Sequence, residues 1–150
     1  SCFDDARRQG NSGVCMLGAE KQKAWLSDHR FARRFGFETV DTTPDGYELL
    51  ALSLDGTKPR FAPSVTQCID EKGLVVYYDM QCPFIPARVA VLQKYCAEQG
   101  IPARFVEVDS LAAAKSLPCV FNNWAVFYGG VFQTVNQLDP AALERILKRK

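Results

Sequence analysis

Residues 74–92 read LVVYYDMQCPFIPARVAVL, and this stretch decides the fold of the second half of the chain. The unbroken apolar run 74–78 is typical of a strand covered on both faces, as in a mostly parallel sheet. Apolar residues then recur at helical spacing, which predicts one buried face of a helix: Ile85, Val89, Leu92 and Cys96. Pro86 fits such a helix only in its first turn, where a missing N–H has no intrahelical partner.

Cys82 falls between the predicted strand and the predicted helix. Backbone N–H groups and the positive end of the helix dipole meet at such a junction, and they stabilise a thiolate. We therefore expect a thiol that is more acidic than that of a free cysteine. The alternative interpretation is that Cys82 is a small buried hydrophobic residue without chemistry, as most cysteines are.

Predicted elements divide the chain into two domains. Residues 73–150 give the order β-α-β-α-β-β-α, and residues 1–62 give two helices and three strands, the first of them at 14–17. Residues 63–72 combine proline with scattered polar residues and predict a linker. The expected fold class is therefore α/β (α+β), with two separate sheets.

Composition excludes several functional classes. The chain has 150 residues, 47% hydrophobic and 23% charged, with a formal net charge of +1. This balance predicts a soluble globular protein without a nucleic-acid partner, and no stretch approaches the roughly 20 apolar residues of a membrane span. The six cysteines form no CxxC and no metal-finger spacing. We therefore expect a reducing, cytoplasmic location and no bound metal.

The second half resembles a thioredoxin-fold domain over about residues 73–150. In that family the active-site cysteine follows the first central strand and opens a helix, and Cys82 matches this position. The resemblance implies a second thiol three residues later, where this chain has Ile85, so the motif is the degenerate C-P-F-I. It also implies a cis proline beside the active cysteine, at Pro118, which makes Cys119 the candidate second thiol near Cys82.

The first half resembles the C-terminal part of GNAT-superfamily acetyltransferases. The residues that carry this resemblance are WLSDHRFARRFGFETVD at 25–41 and GYELLAL at 46–52. With APSV at 62–65 leading into the cysteine-bearing tail, the complete chain is similar to YoaP-like acetyltransferases. The resemblance implies acetyl-CoA as cofactor of the full-length protein and a small-molecule amine as acceptor.

Two departures from the GNAT pattern predict that this chain alone binds no acetyl-CoA. RRQGNS at 7–12 is a poor match to the pyrophosphate loop and leads into a strand, so we interpret it as a plain turn. Ala32 stands where many GNAT enzymes have a general-acid tyrosine. The chain begins with Ser1, and we expect a C-terminal fragment whose strand 14–17 pairs either with the missing N-terminal half or with a second copy of the chain.

Three hypotheses follow for the function. The first is a fragment of a GNAT-type N-acetyltransferase with a thioredoxin-like accessory domain. The others are a non-catalytic interaction module and a monothiol redox domain that uses Cys82. The chain has one histidine, His29, which we interpret as a solvated residue on a helix face. Three aromatic residues around that helix are expected to face the sheet: Trp25, Phe31 and Phe35.

Overall fold

Two sheets and five helices make up the described part of the chain, residues 1–23 and 25–148 of a computed structural model. The chain divides into two compact units, Ser1–Phe61 and Ala62–Lys150. Both units combine helices with strands, so the mixed α/β class expected from the sequence is confirmed at this level. None of the described helices is long and apolar enough to cross a membrane.

The first unit is a three-stranded antiparallel sheet with two short helices. In chain order its elements are α1 (Cys2–Arg8), β1 (Gly13–Ala19), α2 (His29–Arg33), β2 (Glu38–Thr42) and β3 (Tyr47–Ser53). The strand order is β1-β3-β2, so the apolar strand β3 is central and β1 lies at one edge. Ala32, Phe37 and Leu50 form the buried centre of this unit.

The second unit has the element order that the sequence predicted. Its elements are β4 (Leu74–Tyr78), α3 (Ile85–Glu98), β5 (Ala103–Glu107), α4 (Leu111–Lys115), β6 (Trp124–Tyr128), β7 (Val131–Thr134) and α5 (Pro140–Leu147). The strand order is β5-β4-β6-β7, with β4 parallel to β5 and antiparallel to β6. Successive side chains of β4 and β6 point to opposite faces of the sheet. Leu74, Val76 and Val126 thus face a core that α3 and α5 complete.

Aromatic side chains cover the other face of the second sheet. Phe127 and Phe132 are register partners on β6 and β7, with ring centroids 5.8 Å apart. The Phe127 ring also packs edge-on against Tyr77 of β4. The Phe132 ring stacks on Phe121, with ring centroids 5.9 Å apart. Because Phe127 alternates with Val126, these rings lie opposite the face that α3 covers.

Residues 63–72, which we expected to form a linker, are held against the second unit. The Gln67 N–H donates to the Pro118 carbonyl, and the Phe132 N–H donates to the Gln67 carbonyl. Ile69 and Lys72 make further backbone bonds to Gly130 and Gly129, respectively. The segment therefore runs beside the β6–β7 hairpin as part of the unit.

The expectation that Phe31 and Phe35 face the sheet is wrong, since their exposed fractions are 61% and 53%. Trp25 is 46% exposed, but its ring lies beside that of Tyr47 on β3, with centroids 6.3 Å apart. Phe31 and Phe35 pack on each other instead, with ring centroids 5.0 Å apart. The reason is that α2 turns Ala32 toward the core, and the side chains that reach the sheet beside Ala32 are those of His29 and Arg33.

Candidate functional site

A buried carboxylate lies in the middle of the first unit. Glu48 is on β3, and only 4% of it is exposed. Side chains at alternate positions of a strand share a face, so Glu48 lies on the same face as the fully buried Leu50. A charge in such a position is costly unless hydrogen-bonded partners compensate it, so the partners of Glu48 define the site.

Three side chains from two neighbouring elements compensate Glu48. One carboxylate oxygen, Oε2, lies 2.6 Å from Nδ1 of His29. The other, Oε1, accepts a hydrogen bond of 2.9 Å from the Thr39 hydroxyl and one of 3.4 Å from the Arg33 guanidinium. Arg33 also donates to Thr39 at 2.8 Å, which closes the network. We call these four residues, His29, Arg33, Thr39 and Glu48, the Glu48 cluster.

Local sequence explains why α2 presents His29 and Arg33 to Glu48. Asp28 caps the helix by accepting from the Arg30 N–H at 2.9 Å, so the helix begins at His29. His29 and Arg33 are then one turn apart and share a face. Ala32, 2% exposed, lets the helix approach the sheet closely enough for both to reach the carboxylate.

Gly18 leaves the space that the carboxylate occupies. It is the register partner of Glu48 on β1. A Cβ atom at this position would lie 3.5 Å from Oε2 of Glu48 and 2.9 Å from Cδ1 of Leu50. A side chain here would therefore press on the core and on the cluster.

Electrostatics make Glu48 an anion at neutral pH. Burial acts to raise the pKa of Glu48, but hydrogen bonds from His29 and Thr39 and the charges of His29 and Arg33 outweigh it. The resulting pKa lies below the ordinary glutamate value. Because a carboxylate only accepts hydrogen bonds, Nδ1 of His29 carries the shared proton.

The interpretation of His29 as a solvated helix-face residue is wrong. Its side chain is 23% exposed and is tied to Glu48, which lies 19 positions further along the chain. Its second ring nitrogen, Nε2, forms no hydrogen bond with the described residues. The signal that points to this pair is a glutamate within the apolar strand sequence YELLAL, at a position whose neighbours on the same face are leucines.

Cys82 lies where the sequence placed it, between the end of β4 and the start of α3. It is partly buried against the core of the second unit, and its sulfur accepts a hydrogen bond of 3.7 Å from the Gln137 amide. The first amides of α3 are less available than expected. The Ile85 N–H donates to the Cys82 carbonyl, and Pro86 has no N–H.

Asp79 is a buried acid that the sequence analysis missed. It lies directly after β4 and is 4% exposed. Its Oδ1 accepts from the Gln81 N–H at 3.0 Å, while Oδ2 forms no hydrogen bond with the described residues. A charged residue that ends an apolar strand is the sequence signal that marks it. The carboxyl group therefore lies against the loop that carries Cys82.

The predicted cis proline is not present. Every peptide bond in the described part of the chain is trans, including the one between Leu117 and Pro118. The Pro118 carbonyl accepts from the Gln67 N–H at 2.8 Å, and β6 begins only at Trp124. The proline thus belongs to a loop bound to the 62–72 segment, where the intrinsically favoured trans isomer fits. This removes one of the two residues on which the thioredoxin resemblance was based.

No disulfide joins Cys119 to Cys82. The buried Cys119 sulfhydryl donates to the Phe121 carbonyl at 3.3 Å. The Phe121 ring belongs to the aromatic face of the sheet, whereas Cys82 packs on the opposite face with α3 and α5. The role of Cys119 as a second thiol stays a prediction.

Within the part of the chain that the structure describes, no three His, Cys, Asp or Glu residues are grouped to hold a metal ion.

Comparison with known proteins gives one family and one relative. The YoaP-like family matches residues 102–145, from the start of β5 into α5. Pro118 and Cys119 lie inside this region and Cys82 lies before it. "Uncharacterized N-acetyltransferase YoaP" of Bacillus subtilis (strain 168) is 28% identical over 149 residues. This alignment covers 97% of the chain and 59% of the relative, so the chain spans about three fifths of that protein. No solved structure matches at a significant level.

Proposed function

We propose that this chain forms part of an acetyl-CoA-dependent N-acetyltransferase of the GNAT type. The observation that carries the proposal is the 28% identity, over 97% of the chain, to a protein named as an N-acetyltransferase. The similarity includes the first unit as well as the region of the YoaP-like match. We therefore assign the first unit to the C-terminal part of the acetyltransferase domain, acting on a small-molecule amine.

The open edge of the first sheet supports this assignment. Strand β1 pairs with β3 on one side only, and no described strand pairs with its other side. A strand edge with free N–H and C=O groups is a template for another strand. We propose that this edge pairs with a strand from a preceding part of the acetyltransferase domain, or with a second copy of the chain.

The described residues do not fit the pyrophosphate of acetyl-CoA. A phosphate site needs backbone N–H groups at the start of a helix, whereas RRQGNS at 7–12 lies at the end of α1 and leads into β1. The Gly10 and Asn11 N–H groups are already bonded to carbonyls of α1. We therefore propose that the phosphate-binding loop is supplied by other residues of the complete enzyme.

For the second unit we propose an accessory domain with thioredoxin-like element order and no dithiol. Two roles follow, a non-catalytic binding module or a monothiol domain that uses Cys82. The partial exposure of Cys82 at a strand–helix junction favours the second role enough to test it.

Acetyl transfer is tested with the natural full-length protein, labelled acetyl-CoA and a panel of small amines, with products identified by mass spectrometry. We expect at least one amine to gain a single acetyl group, in an amount that scales with enzyme. Calorimetry with acetyl-CoA supplies an independent measurement of binding. If acetyl-CoA neither binds nor acetylates any amine, the proposed function is wrong.

The thiol role is tested in a variant whose exposed cysteines, Cys2, Cys15 and Cys68, are replaced by serine. A chromogenic disulfide should then react with Cys82 faster than with a free cysteine at neutral pH. Cys82→Ser in the same background is the matched control and should remove the fast phase. A reaction no faster than that of an ordinary thiol would leave the binding-module role.

A further inference from the structure

The two ring nitrogens of His29 have different environments in the Glu48 cluster. Nδ1 is fixed at 2.6 Å from a carboxylate that is itself buried, and this selects the tautomer that leaves Nε2 without a proton. The side chain of His29 is 23% exposed, whereas that of Glu48 is 6% exposed. The basic nitrogen, Nε2, therefore belongs to the more accessible residue, His29. The charge that orients the ring belongs to the buried residue, Glu48.

We propose that His29 is a general base that takes a proton from the ammonium group of a small-molecule amine at Nε2. The inference rests on the proposed N-acetyltransferase function, since only a neutral amine has the lone pair needed to accept an acetyl group. In the step one N–H bond of the ammonium breaks and one N–H bond forms at Nε2. The amine keeps the electron pair, and the imidazole becomes an imidazolium.

The remaining members of the cluster suit this role. Glu48 is a positioning residue, because it holds the ring through Nδ1 and stabilises the imidazolium that forms. Thr39 and Arg33 bind the other carboxylate oxygen, so they leave Oε2 to His29 and keep Glu48 ionised. A hydrophobic environment alone would protonate Glu48 and remove the orienting charge.

Several charged and polar groups surround the His29 ring. Glu48 faces it from β3, Arg33 lies one turn further along α2, and the Asp28 carboxylate interacts with it from the helix cap. Thr39 of β2 contributes an uncharged hydroxyl, and Gly18 of β1 contributes no side chain.

A nuclear magnetic resonance measurement tests the base directly, because the chain has one histidine. We expect the ring ¹⁵N shifts of the wild-type protein to show a protonated Nδ1 and an unprotonated Nε2 at alkaline pH. Glu48→Gln should weaken the preference for the Nδ1-protonated tautomer, since it removes the carboxylate that accepts the Nδ1 proton. If the ring shows the other tautomer, or if Glu48→Gln leaves the tautomer ratio unchanged, the inference is overturned.

Kinetics of the natural full-length protein supply the second test. His29→Asn keeps an N–H donor near the position of Nδ1 but provides no base, so we expect a folded protein whose kcat/KM falls by about 10²- to 10⁴-fold. We expect the wild type to lose activity on acidification, as its base becomes protonated, and this loss should be absent from the variant. Arg34→Gln, an exposed change at the end of the same helix, is the control and should keep the wild-type rate.

The outcomes separate the inference from the proposed function. Acetylation by His29→Asn at the wild-type rate overturns the role of His29 and leaves the acetyltransferase function intact. Absence of acetylation in the wild type overturns the proposed function together with the amine role. The ¹⁵N measurement needs no acetyl donor and still reports whether Glu48 selects the base tautomer.

Discussion

Glu48 shows how one residue type in an unexpected place organises its surroundings. A carboxylate on the buried face of a strand is tolerated because both of its oxygens are hydrogen-bonded, one to the His29 ring and the other to Thr39 and the charged Arg33. Apolar residues would fill the same space at lower cost in desolvation. A buried, fully partnered acid is therefore more easily explained by what it does to His29 than by the stability it gives to the sheet.

Removal of the carboxylate should destabilise the first unit. Glu48→Ala leaves a cavity and deprives the Thr39 hydroxyl and the His29 ring of their acceptor, and we expect a loss of about 2–3 kcal/mol in the free energy of unfolding. Arg33 is half exposed, so Arg33→Gln should cost less than about 1 kcal/mol. Urea denaturation of both variants tests this. Equal losses would contradict the assignment of Glu48 as the centre of the cluster.

Acid should weaken the contribution of Glu48. Its pKa is lower in the folded protein than in the unfolded chain, so its ionisation stabilises the fold above the unfolded pKa. That contribution is lost as the pH falls through the folded pKa. We expect the difference in unfolding free energy between wild type and Glu48→Gln to shrink as the pH is lowered from neutral to below the ordinary glutamate pKa of 4.5. A constant difference over this range would show that Glu48 does not titrate as described.

Sequence alone identifies the elements but not the pairing of His29 with Glu48. Periodicity located β4 and the buried face of α3 because both signals are local. The pairing depends on how α2 sits on β3, which no local pattern specifies. The same limit explains the error at Phe31 and Phe35, since apolar residues at helical spacing mark a face without stating whether the sheet covers it. Pro118 was assigned from a family pattern, and its bonding to Gln67 could not be read from the residues near it.

The cap of α5 is a local feature with a consequence for Cys82. Asp139 accepts a hydrogen bond of 2.7 Å from the Ala142 N–H, and Gln137, which donates to the Cys82 sulfur, lies just before it. Asp139→Ala should cost about 1 kcal/mol in the free energy of unfolding and make Cys82 more accessible to a thiol reagent. Asp139→Asn, an equally good cap, is the control. If Asp139→Asn is as damaging as Asp139→Ala, the effect comes from the charge and not from the cap.

The boundary between the two units decides which fragments are suitable for experiments on one unit alone. Residues 62–72 belong to the second unit, and Gln67 within them is 4% exposed. The sequence treated this segment as a linker because it has no helical or strand periodicity. Backbone hydrogen bonds to a distant hairpin leave no such pattern, so its attachment was visible only in three dimensions.

A truncation series tests the boundary of the second unit. We expect residues 62–150 to fold alone, whereas residues 73–150 lose the backbone hydrogen bonds from Gln67 to Pro118 and Phe132 and from Ile69 to Gly130. At roughly 1 kcal/mol for each hydrogen bond, the shorter fragment should be less stable by about 2–4 kcal/mol. Urea denaturation followed by tryptophan fluorescence measures this, because Trp124 is buried in the core and is the fragment's only tryptophan. In the longer fragment, Gln67→Ala keeps the backbone bonds and should lie nearer to wild type than to the truncation. Equal stability of the two fragments would show that the segment is a linker after all.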